Sequence, residues 1–138
     1  MATVPLLDYE AASPEAQAVF DDIKSTRNVP DVNNFWKALA HDPATLKRVW
    51  EGLKQIMAPG ALDPLTKEMI YIAISASNGC SYCAHSHTAS ARNRGMTPEM
   101  YAELLAVVGM ANQTNALVNA MQVPVDPAFL APQAPTGG

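Results

Sequence analysis

Hydrophobic and polar positions alternate at helical spacing along almost the whole chain. Ser13-Pro14-Glu15 places an N-cap, a first-turn proline and an early acid in order. Ala16, Val19, Phe20 and Ile23 then recur on one face, and this helix is expected to fade near Asn28-Val29-Pro30. A short helix over 34–40 presents Phe35, Trp36 and Leu39. Asp42-Pro43 opens the next, whose stripe is Leu46, Val49, Trp50, Leu53 and Met57, and Pro59-Gly60 ends it. Asp63-Pro64 opens a helix carrying Leu65, Met69, Ile72, Ala73 and Ala76. Ile70, Tyr71 and Ile74 are apolar too, so this helix is apolar nearly all round and is expected to be central. Asn78-Gly79 stops it, because both residues tolerate the left-handed conformation of a helix end. A further helix starts at or just after Cys80, runs to Arg94 and is closed by Gly95. Thr97-Pro98-Glu99 begins another, with Met100, Leu104, Leu105, Val107 and Val108, and a break near Gly109 is expected before a last helix over 112–121.

No alternating strand pattern of useful length is present, and no internal repeat. The fold class is therefore all-α: one domain of about six helices over 1–122, with short connections. Residues 123–138 are rich in Pro, Ala and Gly and are expected to be an extended or disordered tail.

Composition narrows the function classes. The chain has 138 residues, 49% of them hydrophobic but only 7% aromatic, so a core is available without disulfide staples. The net charge is −4 and the nine Lys and Arg residues are scattered, which argues against a nucleic-acid footprint. No apolar run has the length of a membrane span. Met1-Ala2-Thr3-Val4-Pro5 lacks the basic and apolar regions of a signal peptide. A cytoplasmic protein with neither membrane nor nucleic-acid partners is expected. The two cysteines sit three apart, unlike the framework of a secreted disulfide scaffold.

The chemistry concentrates in Glu68 to His87, which reads E-x11-C-x2-C-x3-H through Glu68, Cys80, Cys83 and His87. On a helix, Cys80, Cys83 and His87 lie at i, i+3 and i+7 and share one face. Cys80 follows a glycine stop at a helix N-terminus, where unpaired N–H groups and the dipole favour a thiolate. His87 lies one turn beyond Cys83 and can take its proton. A disulfide across the two intervening residues is sterically feasible. Glu68 joins the set only if its helix folds back against the one starting at Cys80. It would then be a buried acid with a raised pKa or a hydrogen-bonded partner. A solvated place for Glu68 fits the sequence equally well.

Other chemistry is weaker. A closed zinc site needs about four ligands, and Cys80, Cys83 and one of His85 or His87 give three. His85 points away from the Cys–Cys–His87 face and reads as a surface residue. His41, before Asp42-Pro43, reads as a helix C-terminal residue. Trp36, Trp50 and the methionines read as packing. With no phosphate-binding loop, no dinucleotide fingerprint and no G-x-S-x-G elbow, neither cofactor nor metal is expected. A thioredoxin fold is disfavoured because the segment before Cys80 reads as helix, not strand.

Glu68-Met-Ile through Cys80-Ser-Tyr-Cys83-Ala-His85-Ser-His87, with the stretch down to Gly95-Met-Thr-Pro-Glu99, resembles the carboxymuconolactone decarboxylase / alkylhydroperoxidase D-like family. The resemblance covers about Asp63 to Ala111, roughly a third of the chain, and the N-terminal part looks like stand-alone peroxidase-related members. It implies an all-helical fold with the redox helix inside a homo-oligomer, usually a trimer or hexamer. It also implies peroxide reduction through a cysteine sulfenic acid, with a Cys80–Cys83 disulfide and a thiol or disulfide reductant protein as partner. Cys83 would be the peroxidatic cysteine, Cys80 the proton donor and resolving thiol, and Glu68 and His87 the proton relay. The helix dipole instead favours Cys80 as the more acidic thiol. The two agree if Cys80 exchanges with the reductant while His87 activates Cys83. One position departs: founding peroxidase members carry a His where this chain has Tyr82. A phenol is a poor base at neutral pH but can donate a hydrogen bond, so Tyr82 and His85 are accessory candidates only.

Three functions compete. A thiol-dependent peroxidase acting on hydroperoxides predicts a reversible Cys80–Cys83 disulfide. A redox-sensing or disulfide-exchange module predicts reversible oxidation without turnover. A decarboxylase or isomerase acting on a small lactone predicts activity that survives alkylation of both cysteines, and the presence of the thiols argues against it.

Overall fold

Four helices open in the same way, with proline in the first turn and a side-chain oxygen of the preceding residue on an otherwise unpaired backbone N–H. In the computed structural model, which describes residues 1–132, Ser13 caps α1 (Pro14–Arg27) at Ala16 N. Asp42 caps α3 (Pro43–Met57) at Thr45 N. Asp63 caps α4 (Pro64–Asn78) at Thr66 N, at 2.8 Å, and Thr97 caps α6 (Pro98–Met121) at Met100 N. The remaining helices are the short α2 (Asn34–Leu39) and α5 (Ser81–Asn93). There is no strand among the described residues, so the fold is all-α with six α-helices.

The chain packs as two compact units, Met1–Ala61 and the chain from Leu62 onward. In the first, α1 turns Ala16, Val19, Phe20 and Ile23 toward Trp36 of α2 and Leu46 and Trp50 of α3. The two indoles meet edge to face, 5.5 Å between centroids, an arrangement that suits their quadrupoles. The Trp50 Nε1–H donates to Asp22 at 2.7 Å, so the polar end of this buried ring is paired. The Lys37 ammonium binds both Asp8 and Asp31 at 2.8 Å, which raises its pKa. His41 lies just beyond α2, with a ring nitrogen against the Pro5 carbonyl.

In the second unit α4 packs against both α5 and α6, which agrees with the central place its composition suggests. Ile72, Ala91 and Met96 are buried among Leu65, Met69, Met100, Tyr101 and Leu104. Gly79, at φ +70°, ends α4 in the left-handed conformation. The Cys80 N–H bonds back to the Ser75 carbonyl at 2.9 Å, the six-to-one bond of a Schellman ending. The chain then reverses, and α5 runs back along α4.

The expected break near Gly109 is absent: α6 is continuous from Pro98 to Met121. Gly109 keeps a negative φ, and Ala106, Met110 and Ala111 near it are good helix formers, with no proline among its neighbours. A lone glycine inside a helix lowers stability by roughly 1 kcal/mol without ending it. No residue of α6 is fully buried. Beyond it the chain is extended over 123–132 apart from a 3-10 turn at Pro127–Phe129. The rest of the expected tail, 133–138, lies outside the described residues.

Gly79 and Gly52 give opposite expectations for the same substitution. Gly79→Ala places a Cβ in the left-handed region and should lower the unfolding free energy by about 1–2 kcal/mol. Gly52→Ala, inside α3 with nothing near the new Cβ, should raise it by roughly 0.5–1 kcal/mol. Urea unfolding followed by circular dichroism checks both. Equal effects would mean that the turn at Gly79 does not require its left-handed backbone.

Candidate active site

The α4–α5 reversal brings residues far apart in sequence together. Glu68 is only 5% exposed, and burial alone would make its carboxylate costly. Three groups on or just beyond α5 offset this. The His87 Nδ1 lies 2.7 Å from Glu68 Oε2, the Ser90 hydroxyl donates to Oε1 at 2.9 Å, and the Arg94 Nε lies 3.8 Å from the same oxygen. Burial pushes the Glu68 carboxyl up, but the His87 and Ser90 hydrogen bonds and the nearby positive charge outweigh it. The pKa falls below the usual carboxylate value. Of the two outcomes expected for a buried acid, the hydrogen-bonded partner is the one found, and the raised pKa is not.

An ionised Glu68 only accepts hydrogen bonds, so the bond to His87 puts the imidazole proton on Nδ1. Nε2 is then the nitrogen that can take or give a proton. The face of the His87 ring lies against Tyr71, with centroids 3.7 Å apart and planes 22° apart. Tyr71 stands three residues after Glu68 on α4, so both face α5.

At the other end of the site, a sulfur fills the capping role that oxygens fill elsewhere. Cys80 is the N-cap of α5, and its Sγ accepts the Cys83 N–H at 3.3 Å. The hydrogen bond from the Cys83 thiol and this backbone N–H both favour a charged sulfur, so the Cys80 pKa is lowered. The Cys83 pKa is raised, because its proton is held in the bond to Cys80, it is partly buried, and the Cys80 charge lies beside it. The expectation that Cys80 is the more acidic thiol therefore agrees with the geometry. Both cysteines are free and partly buried. Tyr82 is exposed on the first turn of α5 and His85 is exposed beyond it. Among the described residues, no group of three or more His, Cys, Asp or Glu side chains is placed to hold a metal ion.

Sequence reasoning did not single out Ser90, Arg94 or Tyr71. The signals were present as spacing: Ser90 and Arg94 lie three and seven residues after His87, and Tyr71 three after Glu68. They matter only once α4 and α5 are known to pack face to face.

Comparison with known proteins identifies the family. The model of the carboxymuconolactone decarboxylase family matches residues 43–126, more than half of the chain. The chain belongs to that family. Within the family its likeness is to the alkylhydroperoxidase D side. A crystal structure of the alkylhydroperoxidase AhpD core from Rhodospirillum rubrum is 62% identical, with a TM-score of 0.92, covering 96% of this chain and 99% of that one. An alkyl hydroperoxide reductase AhpD of Solibacter usitatus is 29% identical over 120 residues. That alignment takes in 80% of this chain but 62% of the relative's length. An uncharacterized protein of Cupriavidus necator is 30% identical over 87 residues, covering 62% of this chain and 75% of that protein.

The lowered pKa of Glu68 has a consequence for stability. A carboxylate with a depressed folded pKa stabilises the fold fully above its ordinary value of 4.5 and loses that contribution as pH falls through its lower folded value. Glu68→Gln should therefore destabilise the protein by about 2 kcal/mol at neutral pH, with the gap narrowing as pH drops into the acid range. Urea unfolding at pH 7 and at successively lower pH checks this. A gap that does not change with pH would show that the Glu68 charge contributes nothing.

Proposed function

We propose that this protein is a thiol peroxidase that reduces hydroperoxides through a Cys80–Cys83 dithiol–disulfide cycle, with Glu68 and His87 as its proton relay. The observation that carries this reading is the capping of α5 by the Cys80 sulfur, which makes two adjacent thiols unequal. In the reduced state the negative charge rests on Cys80 and the proton on Cys83. Transfer of that proton along their hydrogen bond leaves Cys83 as the thiolate. The more basic thiolate is the stronger nucleophile once formed. It attacks the terminal oxygen of the hydroperoxide: an S–O bond forms, the O–O bond breaks, and Cys80 returns the proton to the departing alkoxide. The products are a Cys83 sulfenic acid and an alcohol. The Cys80 thiolate then attacks the Cys83 sulfur, the S–O bond breaks, and the leaving hydroxide takes a proton that His87 has drawn from solvent onto Nε2, becoming water and returning the imidazole to its neutral form. The disulfide holds the two oxidising equivalents until a dithiol reductant, attacking the more accessible Cys80, takes them up by exchange.

The names of the Rhodospirillum rubrum and Solibacter usitatus relatives support the same activity. The reading places the protein in the cytoplasm, where a reducing pool keeps both cysteines as thiols between turnovers. No helix among the described residues is long and apolar enough to cross a membrane. The replacement of histidine by Tyr82 favours one second reading, a redox sensor that oxidises reversibly without fast turnover.

Single-thiol variants test the scheme. Cys80→Ser should still form a sulfenic acid with one equivalent of hydroperoxide, trapped by dimedone at Cys83, and should not form the disulfide. Cys83→Ser should form neither at a rate above that of free cysteine. Wild type should lose both thiols and recover them with dithiothreitol. Trapping at Cys80 alone would reverse the two roles. Thiols in wild type that persist as long as free cysteine would sink the peroxidase reading.

We further propose that copies of this chain assemble through α6. Its residues from Leu104 to Met121 carry no charge, Val107 is 65% and Met110 59% exposed, and exposed apolar surface of this extent is characteristic of an interface. Light scattering should give a mass that is a multiple of 14.7 kDa, and Val107→Lys with Met110→Lys should reduce it. A wild-type mass of one chain would remove this part of the proposal.

A further inference from the structure

The Glu68–His87 bond does not by itself aim the imidazole. A hydrogen bond to Nδ1 fixes one atom of the ring and the direction of one bond. The ring plane remains able to pivot about that line, and with it the direction of Nε2. What removes this freedom is Tyr71. Its ring overlies His87 with centroids 3.7 Å apart and a 22° interplanar angle. That spacing is van der Waals contact distance, so the rings overlap with little lateral offset. Glu68 and Tyr71 stand at i and i+3 on α4, and one helix face thus supplies both an in-plane acceptor and an out-of-plane support.

We propose that Tyr71 is a positioning residue for His87, holding the imidazole plane so that Nε2 keeps one direction toward the redox pair. The proposal rests on the peroxidase reading for its consequence, but not for the geometry it asserts. The ring face is the part that acts, not the phenol hydroxyl. The requirement is therefore for a flat aromatic side chain at position 71, rather than for a hydrogen-bond donor or simply an apolar one. Of the other titratable or charged groups, Glu68 on α4 bonds His87 and Arg94, just past α5, lies 3.8 Å from Glu68, while Cys80 and Cys83 stand at the start of α5. α6 packs Met100, Tyr101 and Leu104 against the apolar cluster of Ile72, Ala91 and Met96, and of these Tyr101 is titratable and lies under Arg92.

The test uses the full chain and three variants, Tyr71→Phe, Tyr71→Leu and Tyr71→Met, each first compared with wild type by circular dichroism. Leucine and methionine keep the site apolar without a flat face, so either one suffices if the other fails to fold. Two quantities are read: the 15N imidazole signals of His87 across pH, and the rate of thiol loss with one equivalent of cumene hydroperoxide over the same pH range. Tyr71→Phe should match wild type in both, within about twofold in rate. Tyr71→Leu and Tyr71→Met should shift and broaden the His87 Nε2 signal, with the Nδ1-protonated tautomer retained through Glu68. They should also slow thiol loss by about tenfold or more, as expected when a proton-transfer group is misaimed. His87 signals that are unchanged in Leu and Met would overturn the proposal, whatever the rates. Loss in Phe equal to that in Leu would also overturn it, because the hydroxyl would then be the active part. If wild type itself shows no reaction with the hydroperoxide, the peroxidase reading fails while the imidazole signals still decide whether Tyr71 positions His87.

Discussion

Everything distinctive about this site follows from the way α5 is started. The other capped helices, α1, α3, α4 and α6, begin on Ser13, Asp42, Asp63 and Thr97, whose oxygens satisfy a backbone N–H. α5 begins on a sulfur. A thiol is a weak acceptor and a thiolate a much better one, so the local need for a cap and the acidity of Cys80 are one interaction seen from two sides. The left-handed Gly79 makes this possible. By ending α4 there and bonding the Cys80 N–H to Ser75, the turn leaves the Cys80 side chain at the first position of the next helix. A longer connection would leave the cap to another residue and the thiol with an ordinary pKa.

The same turn determines the other half of the chemistry. Because α5 returns along α4 directly, a residue near the start of α4 meets one past the middle of α5, and Glu68 meets His87 and Ser90. An isolated carboxylate at this depth would take up a proton. It remains ionised because α5 supplies two hydrogen bonds and the Arg94 charge. Stability and function therefore draw on the same contacts: the groups that make a buried Glu68 tolerable also set the tautomer of His87. This is an arrangement in which neither partner can be changed without altering both.

Much of this was legible in the chain itself. Proline and capping residues marked the helix starts because these signals are local, one residue answering to another three positions away. The glycine stop before Cys80 was legible for the same reason, and with it the relative acidity of the thiols. The state of Glu68 was not, since burial and hydrogen bonding pull its pKa in opposite directions and the balance depends on Ser90 and Arg94, which only packing reveals. The continuity of α6 was missed because one glycine looks alike in sequence whether it ends a helix or is merely tolerated inside it. Nor does the pattern of α6 tell which side faces inward. Apolar and small residues are spread around it, so its periodicity is weak, and the structure leaves none of its residues fully buried.

The inequality of the two thiols also bears on the tyrosine at position 82. A base between the cysteines is needed if the attacking sulfur must give its proton to an external acceptor. In the proposed cycle the acceptor is the Cys80 sulfur, whose pKa is lowered by the hydrogen bonds from the Cys83 thiol and backbone N–H. Proton transfer between neighbours of unequal acidity is uphill by the difference in their pKa values. It yields, however, the more nucleophilic thiolate, and the proton stays close enough to serve the leaving alkoxide. Tyr82, exposed on the first turn of α5, takes no part in that proposed cycle. In that proposed cycle the sulfur pair at the start of α5 and the His87 imidazole farther along it lie on one helix, with Glu68 facing His87 from α4. That helix is held at one end by the Gly79 turn and along its length by α4.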